Sequence, residues 1–214
     1  MKALVIGATG AVGKDLVEQL AALDTVEQVD IFVRRGISFS SPKVITHVVD
    51  FDYPETWHPL LTGDVLFSCL GTTLKAAGSQ AAQWKVDHTY QLEAARAACA
   101  NGVPTYVLVS SIGADAQSKV FYTKMKGALD DAVKALGFQG CFILRPPSLI
   151  RKGSNRLGEK VGVAVLKFLN AIGILRSLAP MPTETVAAAM IRLAQSERKG
   201  YAIFGPKEIL GLLA

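Results

Sequence analysis

The chain has 214 residues, of which 50% are hydrophobic and 19% charged, a balance that excludes an intrinsically disordered protein. Its net charge of +5 comes from scattered basic residues without interleaved aromatic residues, so nucleic-acid binding is not predicted. The three cysteines have no short spacing and the N-terminus has no long apolar segment, which argues against export. We therefore expect a cytoplasmic protein with buried thiols.

Apolar runs alternate with helical patterns from residue 3 to residue 144. We predict strands at residues 3–6, 29–33, 44–49, 65–70, 105–109 and 141–144, and helices at residues 11–23, 80–101 and 122–136. The strands are apolar without regular alternation, which is typical of a parallel sheet covered on both faces. The pattern predicts an α/β protein with a doubly wound, mostly parallel sheet, the Rossmann fold.

The periodic pattern stops at Pro146 and Pro147. We expect residues 148–182 to form a small substrate-side extension, followed by a helix at residues 183–195 that begins with a Thr-Glu capping signal. The apolar segment at residues 161–175 is interrupted by Lys167 and Asn170 and is shorter than the ~20 residues that span a bilayer, so membrane insertion is not expected. Residues 1–214 are predicted to form a single domain.

A glycine-rich turn, Gly7-Ala-Thr-Gly10-Ala-Val-Gly13, joins the first predicted strand to the first predicted helix. Gly7 permits a tight turn, Gly10 lets the backbone approach a pyrophosphate, and Gly13 lets the helix pack closely on the sheet. The N-terminus of the helix adds unpaired N–H donors and a positive dipole end. This context predicts a dinucleotide site, against the alternative of an ordinary strand-to-helix turn.

The end of the second predicted strand bears on the choice of dinucleotide. NAD-specific sites place an acidic residue there, whereas this chain has Arg34 and Arg35. Asp30 lies four residues before Arg34, roughly 13 Å away at ~3.3 Å per residue, which is too far to hold the ribose hydroxyl groups. Because guanidinium groups bind a 2′-phosphate, NADP(H) is predicted. The alternative is that both arginines lie on a solvated loop.

Two further strand ends are candidates for cofactor contacts. Asp50 and Phe51 follow the third strand and could meet the adenine edge, although an ordinary aspartate at a strand end is an alternative. The sequence Leu70-Gly71-Thr72-Thr73 follows at the end of the fourth strand, where Gly71 would let the backbone pass close to a dinucleotide. A helix-capping turn built on Thr72 or Thr73 is the competing interpretation.

Ser110 and Ser111 end the fifth strand, and Tyr122 and Lys126 follow on the next predicted helix. Tyr122 and Lys126 are four residues apart and therefore share a helical face. A tyrosine that gives a proton to a carbonyl oxygen near neutral pH needs a positive charge nearby, because the ordinary pKa of tyrosine is about 10. The arrangement predicts hydride-transfer chemistry. The histidines lie far apart without ligand spacing, so no metal site is predicted.

These motifs resemble the short-chain dehydrogenase/reductases, in their atypical branch. More narrowly, GATGAVG, FVRR, VVDF, CLGTT, LVSSIGAD, FYTKMKGALDDAV and LRPPSLI are similar to the HIV Tat-interacting oxidoreductase group and its bacterial relatives. The resemblance implies that Tyr122 donates a proton and that Lys126 binds the nicotinamide ribose. It also implies that NADPH is held by Thr9, Gly10, Ala11, Val12, Arg34, Arg35, Leu70 and Gly71.

Two features depart from the wider family. Asp87 stands where that family has a catalytic asparagine, and the interval from Ser111 to Tyr122 is short. We favour Ser111 as the catalytic serine, with Ser110 as a close alternative.

The function predicted from these residues is NADPH-dependent reduction of a carbonyl-like small molecule, with Ser111 holding the carbonyl oxygen by a hydrogen bond. The alternative is an NADP(H)-sensing regulatory or interaction protein with negligible turnover. A small-molecule substrate is the expected partner, and a protein partner is left unspecified.

Overall fold

The computed structural model describes residues 1–150 and 179–214. The strands are β1 (Lys2–Ile6), β2 (Gln28–Val33), β3 (Val44–Val48), β4 (Val65–Ser68), β5 (Thr105–Val109), β6 (Gly140–Leu144), β7 (Leu149–Ile150), β8 (Met181–Pro182) and β9 (Gly200–Phe204). The α-helices are α1 (Ala11–Ala22), α2 (Leu74–Ala77), α3 (Gln80–Trp84), α4 (Tyr90–Ala100), α5 (Phe121–Lys134), α6 (Thr183–Ala194) and α7 (Pro206–Gly211). A π-helical turn, Lys85–Thr89, joins α3 to α4.

Seven strands form one parallel sheet in the order β3-β2-β1-β4-β5-β6-β9, and β7 pairs with β8 separately. The predicted doubly wound parallel sheet is confirmed. The strand order reverses between β1 and β4, and in such sheets ligands bind outside the carboxyl ends of the strands at this point.

Alternate residues of β1 enter two hydrophobic cores, because successive side chains of a strand point to opposite faces. Ala3 and Val5 belong to the core that includes residues of α1 and α6. Leu4 and Ile6 belong to the core that includes residues of α4 and α5. Leu4, Val5 and Ile6 are fully buried, and burial of each such side chain stabilises the fold by about 1.5–3 kcal/mol. The strand β1 is therefore packed against a hydrophobic core on each face of the sheet.

The structure differs from the predicted elements in several places, and the short elements α2, β7, β8 and α7 were not predicted. The helix predicted at residues 80–101 is divided by the π turn, and β4 ends at Ser68, before Leu70. The strand β9 was not predicted, and one of its five residues, Phe204, is buried. The capping prediction at Thr183 is wrong: Thr183 is the first helical residue, and its hydroxyl donates to the Ile150 carbonyl at 3.5 Å.

The thiols are not all buried as expected. Cys141 is buried, whereas Cys69 and Cys99 are half-buried. Most of the expected extension at residues 148–182, including the apolar segment at residues 161–175, lies outside the described residues. In the part of the chain that the structure describes, no helix is long and apolar enough to cross a membrane.

Candidate functional site

The glycine-rich turn brings three backbone segments into close contact. Gly7 adopts a φ of +81°, and a Cβ atom there would lie 2.4 Å from the carbonyl carbon of Cys69. A Cβ atom at Gly13 would lie 2.1 Å from the Gly7 carbonyl oxygen, and one at Gly10 would lie 3.1 Å from that same oxygen. The turn therefore has no room for side chains at Gly7 and Gly13.

Helix α1 begins immediately after Gly10, whose N–H donates to the Gly7 carbonyl at 2.9 Å. None of the described side chains caps this helix, and the first N–H groups of any helix have no partner within it. The N–H groups of Ala11, Val12 and Gly13 therefore remain available to an anion at the positive end of the helix dipole.

A cleft of about 350 Å³ lies beside this turn, at the carboxyl ends of the central strands. The predicted cofactor residues in its walls are Gly7, Thr9, Gly10, Arg34, Phe51, Leu70, Gly71 and Thr72. Ala11 lines a neighbouring groove along α1 with Thr9 and Gly10. Val12 is buried in the core. The cleft thus unites residues from four strand ends.

Arg34 and Arg35 are exposed and line a recess of about 400 Å³ beside the cleft. Thr9, Val33 and Arg34 contribute to both the recess and the cleft. Asp30 is 2% exposed and pairs with Lys2 at 3.0 Å. The Asp30 carboxylate of β2 is therefore paired within the sheet, whereas the guanidinium groups of Arg34 and Arg35 line the recess at the end of the strand.

Asp50 and Phe51 have different environments. Phe51 is buried and forms part of the cleft wall. Asp50 is exposed, lies outside the lining of the cleft and accepts the Asp52 N–H at 3.0 Å. Phe51 is thus the better placed of the two predicted residues for contact with a ligand.

The segment after β4 both lines the cleft and caps a helix. The Thr73 hydroxyl oxygen accepts the Ala76 N–H at 3.1 Å and caps α2. The Thr72 N–H donates to Asp87 Oδ2 at 2.8 Å, and the Thr72 carbonyl accepts from Gln83 Nε2 at 3.2 Å. The capping interpretation therefore applies to Thr73, whereas a cofactor contact of Leu70, Gly71 or Thr72, which line the cleft, stays a prediction.

Lys126 and Asp87 form a buried ion pair, with 3.2 Å between Lys126 Nζ and Asp87 Oδ1. Their side chains are 4% and 2% exposed. Burial raises the pKa of Asp87, and the Lys126 ammonium and the Thr72 N–H offset part of this effect. Because Asp87 contacts both Lys126 and Thr72, it connects α5 directly to the cleft wall. Asp87 lies in the π turn, a feature frequent at functional sites.

Tyr122 lies in the first turn of α5, and its side chain is 39% exposed. One residue beyond Lys126, a Cβ atom at Gly127 would lie 2.2 Å from the backbone nitrogen of Ala116. The loop after β5 therefore crosses α5 in direct backbone contact.

The two candidate serines differ in accessibility. Ser110 is 6% exposed, and its N–H donates to the Leu144 carbonyl at 2.8 Å. Burial raises the pKa of Asp130, and the Ser110 hydroxyl and Arg145 partly offset this effect. Ser111 is half-buried and donates to the Ile112 carbonyl at 3.3 Å, a long hydrogen bond. Ser111 is thus the serine more open to a ligand.

Sequence reasoning missed Lys85 and Tyr90, which also line the cleft. Both fall inside the helix predicted at residues 80–101, whose apolar periodicity does not indicate the π turn.

The geometry of the cleft fits a dinucleotide. The glycine turn has no room for Cβ atoms at Gly7 and Gly13, and helix α1 begins there without a side-chain cap. Phe51 forms an aromatic part of the cleft wall, and Arg34 and Arg35 are exposed beside it.

Comparison with known proteins agrees with this geometry. A family model described as NAD(P)H-binding matches residues 7–197. Protein FMP52-1, mitochondrial, of Scheffersomyces stipitis is 36% identical over 202 residues, covering 91% of this chain and 88% of that protein. Protein FMP52, mitochondrial, of Saccharomyces cerevisiae is 37% identical over 159 residues, covering 72% and 68%.

Solved structures share the fold. MoeE5 in complex with UDP-glucose and NAD superposes with a TM-score of 0.70 at 15% identity, covering 99% of this chain and 80% of that one. A short-chain dehydrogenase/reductase superfamily protein from Agrobacterium tumefaciens with bound NAD gives a TM-score of 0.70 at 15% identity, covering 96% and 77%.

The expectation of a cytoplasmic location is wrong, because these relatives are named mitochondrial proteins. The expectation rested on the cysteine pattern and on the N-terminal sequence, and these features do not distinguish the cytoplasm from the mitochondrion.

Proposed function

Because the chain belongs to the NAD(P)H-binding family, we propose that it is an NADPH-dependent oxidoreductase of the short-chain dehydrogenase/reductase type that reduces a carbonyl-like small molecule. The observation that carries this proposal is the contact chain Lys126–Asp87–Thr72, which joins the helix bearing Tyr122 to the wall of the cofactor cleft. A binding module has no need of an exposed tyrosine four residues before a buried lysine on the helix that is linked to that cleft.

The proposed preference for NADP(H) rests on the end of β2. Arg34 and Arg35 are exposed beside the cleft, where an adenosine ribose lies in this fold. Asp30 pairs with Lys2 inside the sheet. Guanidinium groups bind a phosphate in bidentate fashion, and a carboxylate would repel it.

The proposed chemistry divides between cofactor and protein. When bound, NADPH supplies a hydride to the carbonyl carbon. Tyr122 gives its hydroxyl proton to the carbonyl oxygen, and solvent later restores that proton, so the products are an alcohol and NADP⁺. Ser111 holds the carbonyl oxygen by a hydrogen bond, since Ser110 is buried. Lys126, which is paired with Asp87, would bind the nicotinamide ribose and would supply positive charge on the same helix as Tyr122.

Three finer assignments accompany this function. We assign the chain to the HIV Tat-interacting oxidoreductase-like group on the motifs quoted above. A mitochondrial location follows the names of the FMP52 relatives. The organisation of residues 1–214 as a single domain, with a substrate-side extension at residues 148–182, stays a prediction from the sequence.

The experiment is NADPH oxidation by the purified protein with a panel of aldehydes, ketones and quinones. The proposal predicts turnover with at least one member and little with NADH. Tight NADPH binding without turnover on any substrate of the panel would contradict it and would favour an NADP(H)-sensing protein.

A further inference from the structure

One side of the cofactor cleft carries a polar cluster that the proposed chemistry does not use. Asp52 Oδ1 lies 2.6 Å from Lys85 Nζ and accepts the Tyr90 hydroxyl at 2.5 Å. Lys85 Nζ also lies 5.6 Å from the centre of the Tyr90 ring, within the range of a cation–π contact. Asp52 itself does not line the cleft, but it contacts both Lys85 and Tyr90, which do.

The position of this cluster follows from its neighbours. Phe51 lines the cleft and packs against Tyr90, with 5.3 Å between ring centroids. Arg34 lines both the cleft and the recess at the end of β2, where the ribose of the adenosine half lies in this fold. The aromatic rings and the lysine therefore border the end of the cleft that receives a planar base.

The cluster contributes little to folding. The Asp52 and Lys85 side chains are 45% and 50% exposed, and exposed ion pairs have small effects on stability because water screens them. The contacts do, however, restrict two rotatable side chains in the wall of a binding site. Such restriction lowers the entropy lost when a ligand binds.

We propose that Asp52, Lys85 and Tyr90 form a clasp that preorganises the adenine-binding end of the cleft. Phe51 and the Tyr90 ring supply aromatic contacts to the purine, and the Lys85 ammonium supplies a donor at its edge. Asp52 is a positioning residue that holds the other two. This inference rests on that part of the proposed function which concerns NAD(P)H binding, and it does not depend on the proposed carbonyl reduction.

The test is titration of wild-type protein and Asp52→Asn with two probes, NADPH and 2′-phospho-ADP-ribose, which lacks nicotinamide. Asp52→Asn keeps the size of the side chain and removes its charge. We expect both affinities to fall by a similar factor of about fivefold, the usual effect of one lost hydrogen bond. Lys85→Met should show the same pattern. The thermal midpoint of Asp52→Asn should stay unchanged, because an exposed ion pair contributes little to folding.

Glu55→Gln is the matched control, since Glu55 is an exposed carboxylate three residues away that does not line the cleft. It should bind both probes as wild type does. Wild-type affinity of Asp52→Asn for both probes would overturn the proposal, as would a loss confined to NADPH. Neither probe requires turnover, so failure of the reductase proposal leaves this test intact.

Discussion

Arg34 and Arg35 are the residues on which the choice of cofactor depends. Arg35→Asp places a carboxylate in the recess beside the cleft, and we expect NADPH affinity to fall by about 10- to 100-fold, the usual effect of losing a hydrogen bond to a charged group. NADH affinity should change little. Fluorescence titration with both nucleotides measures the ratio. Arg198→Asp, at an exposed position between α6 and β9, is the control, and an unchanged ratio in Arg35→Asp would refute the assignment.

The clasp also makes a prediction about pH. Lys85 and Tyr90 hold the pKa of Asp52 below its ordinary value, and Asp52 in turn raises the pKa of Lys85. A carboxylate with a lowered pKa contributes its contacts above its ordinary pKa and loses them only as the pH falls through the lowered one. Burial and Asp52 raise the pKa of Tyr90, which therefore stays protonated as well.

We therefore expect the ratio of NADPH dissociation constants, Asp52→Asn over wild type, to be constant between about pH 6 and pH 9, since the ordinary pKa values of aspartate and lysine lie outside this range. Calorimetric titration at several pH values provides the measurement. A ratio that falls toward one within this range would show that the clasp does not persist there.

At the scale of elements, the approach of α1 to the glycine turn has a steric test. Alanine favours a helix over glycine by about 1 kcal/mol, but a Cβ atom at Gly13 would lie 2.1 Å from the Gly7 carbonyl oxygen. The clash is with backbone that cannot move freely, so Gly13→Ala should destabilise the fold by about 1–3 kcal/mol and weaken NADPH binding.

Gly211→Ala is the matched control for that substitution. Gly211 is also helical, and a Cβ atom there meets nothing within 4 Å. The change should stabilise the protein by up to about 1 kcal/mol through helix propensity alone. Urea denaturation compares the two variants. Equal stability of both variants would mean that the contact between α1 and the turn is looser than described.

The elements differ in how far they could be predicted. Strands β1 and β5 consist largely of apolar residues, so composition identifies them. The strand β9 has one buried residue, Phe204, and its place at the sheet edge depends on pairing with β6. Asp87 of the π turn contacts Lys126 and Thr72, and periodicity does not reveal these partners because they are distant in sequence.

At the scale of the whole molecule, local motifs predict which strand ends form the site but not how they are joined. The glycine turn and the Tyr122/Lys126 spacing are local signals. The pairing of Asp87 with Lys126, of Asp130 with Arg145, and of Asp52 with Lys85 arises from the packing of helices and loops. The first two pairs are largely buried, and opposite charges must meet there because an unpaired buried charge is strongly unfavourable.

Tyr122 allows the most selective test of catalysis. Lys126→Ala would leave the buried Asp87 carboxylate without its ion-pair partner and would destabilise the fold. A loss of activity in that variant would therefore not separate an effect on stability from an effect on catalysis. Tyr122→Phe removes one hydroxyl from a side chain that is 39% exposed. Lys124→Ala, at an exposed position two residues away on α5, is the control and should retain wild-type turnover.

The decisive measurement is kcat for Tyr122→Phe on a substrate that the wild-type protein reduces, together with its NADPH dissociation constant. A positioned general acid contributes at least about 10²-fold to the rate, so kcat should fall by that factor while NADPH affinity stays close to that of the wild type. Turnover equal to that of the wild type would contradict the account.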